Sequence, residues 1–114
     1  MILNSKLNFI ENIKYTININ NSSISPHNNE LVNWIYYSRI KTLRWILDQH
    51  ENNNLRVLKK IVLAKINVLK KEMKKTIYRI DIIRISEEID NLEFCLNAIV
   101  QEINRTNSNE KILK

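Results

Sequence analysis

The sequence predicts an all-α fold: an antiparallel helical hairpin or coiled coil with one short and one long arm. Three observations carry that reading. The 114 residues contain no glycine and a single proline, Pro26, so the tight turns and left-handed helix ends that glycine serves are few. Counting in steps of four and three from Tyr36 lands on Ile40, Leu43 and Leu47. Further on it meets Tyr78, Ile82, Ile85, Ile89, Leu92, Leu96, Ile99 and Ile103, a period that belongs to helices packed along a seam. The pattern fails in two places only, which leaves a three-helix bundle as the alternative.

Residues 1–28 form a leader with no settled period. Leu3, Leu7, Ile10 and Ile17 suit a helix face, whereas Tyr15, Ile17 and Ile19 alternate with polar residues as in a strand. The leader is read as weakly ordered or as a short helix docked on the body. NNSSISPHNN at 20–29 is a loop by composition. The helical domain runs over 29–106, with Asn28 or Asn29 as N-cap and Glu30 at the positive end of the helix dipole. HENNN at 50–54 interrupts the seam and predicts the reversal between the arms, with asparagine adopting the left-handed conformation. The second interruption is at Lys71 and Lys75. There the apolar stripe moves onto Ile66, Leu69, Met73, Ile77 and Ile80, either by rotation of the seam or by a second bend with Thr76 opening a third helix. Residues 107–114 are a polar tail.

The net charge is +6, unevenly spread. Residues 56–84 carry ten Lys and Arg against Glu72 and Asp81, a net of +8. Residues 85–104 carry five carboxylates and no cation, a net of −5. Lys70, Lys71, Lys74 and Lys75 stand at i,i+4 spacing and form a compact basic patch that suits phosphates, so nucleic acid is a candidate partner. No helix-turn-helix or zinc-finger spacing accompanies it.

Nothing in the chain assembles as a catalytic centre. His27 and His50 are far apart, with no second ligand at metal spacing. Cys95 is the only cysteine, lies on an apolar helix stretch and has no basic neighbour to activate it. Glu87, Glu88, Asp90 and Glu93 read as a solvated helix face. Without glycine there is no phosphate-cradling loop. The expectation is a non-enzyme with no metal and no cofactor. No run approaches the ~18 apolar residues of a membrane span, and MILNSKLNFIENIKYT lacks the form of a signal peptide. A cytoplasmic location is expected.

A short arm leaves much of a longer arm's seam uncovered, and uncovered apolar surface calls for a partner. The seam residues Tyr78, Ile82, Ile85, Ile89, Leu92 and Leu96 are therefore candidate partner contacts. Trp34 and Trp45, off the main seam, are candidate anchors. Self-association would also cover the stripe.

SRIKTL at 38–43 resembles the opening helix, and IDIIRISEEIDNLE at 80–93 the returning helix, of the central-stalk component of bacterial type III secretion systems. That virulence-associated family of coiled coils is related to the flagellar export protein FliJ, and the resemblance spans about residues 38–100. It implies a non-enzymatic rod in protein transport, seated in the pore of a hexameric export ATPase and reaching the export gate. Such a rod would be cytoplasmic and peripheral at the inner membrane through the apparatus. Two other expectations stand beside it: a small basic helical nucleic-acid-binding regulatory protein, and a helical secretion chaperone.

Overall fold

A computed structural model describes residues 1–113, the side chains of 109–113 excepted. The described residues are all-helical: α1 (Phe9–Ser23), α2 (Glu30–Asn52), α3 (Leu55–Lys75) and α4 (Arg79–Leu113). The helical class is as the sequence predicts, and α3 with α4 forms an antiparallel hairpin. The long arm is not continuous, however. Of the two readings at Lys71 and Lys75 the bend is the one found, but Thr76 ends a helix and does not open one. It is extended, with φ −85° and ψ 141°, and closes α3 by donating its N–H to the Glu72 carbonyl, and α4 begins at Arg79.

Asparagine builds the joints. Asn8, Asn29 and Asn54 are the N-caps of α1, α2 and α3, and each side-chain oxygen accepts the N–H three residues on at 2.9 Å. At α1 the Glu11 carboxylate also accepts the Asn8 N–H, completing a capping box. Between α1 and α2, Asn33 clamps the turn. Its amide donates to the Ser25 carbonyl at 2.8 Å while its oxygen accepts from Ser25 N–H and from the Asn28 amide. The HENNN reversal lies where the sequence places it, but no described residue has positive φ. Asn53 is extended, at φ −137° and ψ 139°, because the Asn54 cap stops one helix and starts the next without a left-handed residue.

Successive helices run antiparallel. Phe9 meets His50 edge-on, with ring centroids 5.1 Å apart, which sets α1 against α2. Arg39 pairs with Glu87 at 3.2 Å, and Leu31 and Trp34 meet Ile80 and Ile83, so α2 runs parallel to α4. Helix α4 touches all three others, while α1 and α3 do not touch. One core results, with Phe9 and Ile13 from α1, Leu43 and Ile46 from α2, Leu58 and Val62 from α3, and Leu92 and Ile99 from α4. The leader is thus a helix whose apolar face belongs to this core. The expected 107–114 tail falls partly outside the described side chains; the α4 backbone continues to Leu113.

The register of the hairpin leaves the start of α4 without α3 beside it. Lys70, five residues before the end of α3, pairs with Glu93, fourteen residues into α4. Arg56 and Thr106, which flank one cavity, give nearly the same offset. The start of α4 therefore extends past the end of α3 by eight or nine residues, roughly 12 Å at 1.5 Å per residue.

Candidate interaction surfaces

The first turns of α4 overhang, and they are apolar on several sides. Ile77 is 84% exposed, Ile80 67% and Tyr78 66%, with Ile82 and Ile83 also exposed. Leu31 and Trp34 of α2 approach one side and, with Ile80, Ile83 and Arg84, line an open cleft of about 200 Å³. Trp34 and Arg84 also border a second cleft of about 330 Å³, which continues along Tyr37, Lys41, Trp45 and Lys65 to Glu88. The Lys65 ammonium sits 4.1 Å from the centre of the Trp45 ring, a cation–π contact that fixes the floor of this cleft.

The candidate seam therefore divides. Tyr78 and Ile82 are surface residues, as a partner contact requires. Ile85, Ile89 and Leu92 are not: they are buried in the chain's own core, and Leu96 packs half-buried against it. The cause is simple. Helices α1 and α2 lie on α4 where an uncovered stripe was expected, so only the overhang remains open. Trp34 and Trp45 are half-buried and line the clefts. The shifted stripe reached Ile77 and Ile80 but not Ile83, although apolar residues at 80, 82, 83 and 85, with 77 and 78 just before the helix, surround its start rather than striping it. A helix apolar all round signals a second buried or docking face.

The four patch lysines belong to a larger arrangement. At 3.6 residues per turn, Lys59, Lys70, Lys74, Arg56, Lys60, Lys71 and Lys75 fall within about 160° of α3, and all seven are exposed. The buried residues Leu58, Val62, Ile66 and Leu69 occupy the opposite side. Glu72 stands about 60° beyond the basic arc, and Lys65 turns away toward Trp45. Lys70 reaches Glu93 at 3.9 Å between two half-exposed side chains, a contact worth little in water. Among the described residues the other six cations of this face form no ion pair. Helix α3 has eight basic residues and one acid, a net of +7, which exceeds the +6 of the whole chain.

The histidines and the cysteine stand apart from both surfaces. His50 meets Phe9 and the Asn53 carbonyl, whereas His27 is exposed in the α1–α2 turn. No described group of His, Cys, Asp and Glu is arranged to hold a metal ion, and no described helix is long and apolar enough to cross a membrane. Cys95 is fully buried, and burial pushes its thiol up to about 12 because the thiolate would lose its water. The sign of the linkage is that of an acid with a raised native pKa. The stabilisation is complete below about pH 9, where the unfolded thiol begins to ionise, and is lost as pH rises toward 12. Cys95→Ala is expected to flatten the fall in unfolding free energy above pH 9. Native protein at pH 8 should resist iodoacetamide that labels the urea-unfolded chain, and rapid native labelling would contradict this burial.

No family model, curated protein or solved structure matches this chain. Fold and surfaces define it as a small basic helical bundle with an apolar overhang at one end and a cationic face along one side.

Proposed function

We propose that this chain is a non-enzymatic helical adaptor that docks a protein partner on the overhanging end of α4. The observation behind it is the cluster of Leu31, Trp34, Ile80 and Ile83 around an open cleft, with Ile77 and Tyr78 projecting beside it. Contiguous exposed apolar surface of this kind marks interaction sites, and a Trp in a pocket supplies the anchor that hot spots favour. Lys41, Lys65 and Arg84 border the adjoining cleft. The occupant that suits both features is an amphipathic helix with an apolar stripe and an acidic flank. Charge weighs against a second copy of this chain, because such pairing brings two cationic α3 ends together.

The specific form of this proposal is the type III secretion stalk, in which the overhang enters the export ATPase hexamer and the chain bridges it to the export gate, on the cytoplasmic side of the inner membrane. A secretion chaperone would use the same cleft for its client. The bundle measures 53 × 35 × 22 Å; the part that would enter the pore is the overhanging start of α4 with the first turns of α2 beside it.

The test is binding of purified chain to a purified type III export ATPase hexamer and, separately, to its export-gate protein, by calorimetry, with the Ile80→Asp/Ile83→Asp double variant as comparison. Acidic residues in the first turns of α4 suit the helix dipole, so the variant should fold. Saturable binding lost by a hundredfold or more in the variant would support the stalk. No binding by the native chain would remove that form. A native dimer that the variant dissociates would replace the adaptor with self-association.

A further inference from the structure

We infer that the outer face of α3 is a second, independent site, which binds the phosphate backbone of duplex nucleic acid without reading its sequence. The face has two clusters, Arg56–Lys59–Lys60 and Lys70–Lys71–Lys74–Lys75, at opposite ends of one rigid helix. Between them lie Leu63, Ala64 and Asn67, and no carboxylate stands within the arc. From Arg56 to Lys75 the helix extends roughly 28 Å. A duplex presents one charge per ~1.7 Å of axis, so a helix of that reach spans more phosphates than it has cations to match.

Several features direct this face to a polyanion. Six of its seven cations have no ion pair among the described residues, so the surface is not spent within the bundle. Lysine dominates, and lysine meets phosphate as a point charge rather than through the bidentate geometry of base reading. An anionic membrane would also attract the charge. A helix that lies in a bilayer surface must insert its apolar face, however, and the apolar face of α3 is occupied by α4. Outward, the large apolar side chains that α3 exposes are only Leu63 within the arc and Val57 and Val68 at its edge. Beside seven cations that is too little to insert, so the face suits a charged rod more than a lipid surface. The overhang lies beyond the end of α3, so both sites can be filled together and the adaptor would join a protein to a nucleic acid.

The test is fluorescence anisotropy with a labelled 20-base-pair DNA duplex, a duplex RNA of equal length, and phosphatidylserine vesicles at several salt concentrations. The expected result is duplex binding whose log K falls with log salt at a slope of about −4 to −6, from five to seven phosphate contacts. Replacing Lys70, Lys71, Lys74 and Lys75 with glutamine should flatten that slope by about 3 to 4 and weaken binding at least a hundredfold at 0.1 M salt. A second variant, Arg56→Gln/Lys59→Gln/Lys60→Gln, should lose less, and Ile80→Asp/Ile83→Asp should bind duplex like the native chain. Circular dichroism confirms that each variant is folded. Comparable binding of DNA and RNA fits a backbone site. The inference fails if the folded lysine variant retains native affinity, or if vesicles are bound and duplexes are not. Equal loss in the overhang variant would place the contact elsewhere and also overturn it.

Discussion

Leu92→Ala is expected to destabilise the bundle by about 3–5 kcal/mol, at the upper end of the range for leucine truncation in a closed core. Leu92 has no solvent exposure and lies midway along α4, the helix on which the other three converge. Its side chain belongs to the cluster shared by Leu43 and Ile46 of α2 and Leu58 and Val62 of α3. Helices packed from several sides cannot all shift to fill one void, so the cavity persists and its cost adds to the lost transfer energy. A domain of this size has about 5–15 kcal/mol of stability in all, and each kcal/mol moves the melting temperature by about 4 °C or more. The variant should therefore melt at least 12 °C lower. Leu96→Ala, one turn on and half-buried, should lose less than half as much. Chemical unfolding of both variants followed by circular dichroism measures the difference. A loss under 1 kcal/mol at Leu92 would mean that α4 is not the centre of the core.

The success of the apolar period in α4, and its failure in α3, have the same origin. Within one uninterrupted helix the count holds: Ile85, Ile89, Leu92 and Ile99 are all buried where it places them. Carried across HENNN, it selects Val57, Ile61, Ala64 and Val68, yet the buried set is Leu58, Val62, Ile66 and Leu69, of which only the last two lie on the stripe that the sequence shifts to. Asn54 caps a new helix, and a new helix takes its phase from its own packing. That shift by one residue also explains the apparent fault at Lys71 and Lys75. They interrupt no seam; in the true phase they point outward and complete a cationic face. A net charge counted by segment shows that the region is basic, but only the phase shows that seven cations share one side.

The joints were partly legible. Caps at Asn29 and near HENNN follow from residue type, whereas the place where α4 begins does not. A proline at Ile82 looks disruptive when Ile82 is taken as mid-helix. In the structure Ile82 lies in the first turn, and its N–H bonds to the Tyr78 carbonyl, so proline there would remove one terminal bond. Partner contacts were least legible, because an apolar stripe covered by the chain itself has the same period as one left for another molecule.

The leader gives the second large effect, because its order depends on one side chain. Asn12 is almost fully buried. Its oxygen accepts the Asn4 N–H at 2.9 Å, and its amide donates to the carbonyls of Asn4 at 3.0 Å and Leu7 at 3.1 Å. These bonds fold residues 4–8 back onto the start of α1. Arg105 adds a tie from α4 by donating to the same Leu7 carbonyl at 3.0 Å. Nothing in an irregular period announces such an arrangement; it depends on a polar residue occupying a buried position and meeting three backbone groups there. Asn12→Leu keeps the branched skeleton of the side chain but removes all three bonds; the Asn4 N–H loses its partner, while the Asn4 and Leu7 carbonyls keep the Leu7 N–H and Arg105. At about 0.5–1.5 kcal/mol for each of the three bonds lost, the loss should be roughly 2–4 kcal/mol. It should also be local. Amide exchange at residues 4–9 is expected to rise at least thirtyfold, since 2 kcal/mol corresponds to about that factor. Exchange in the middle of α4 should change only as far as global stability falls. A uniform rise along the chain would instead make Asn12 an ordinary core position, with the leader no more dependent on it than the rest of the bundle.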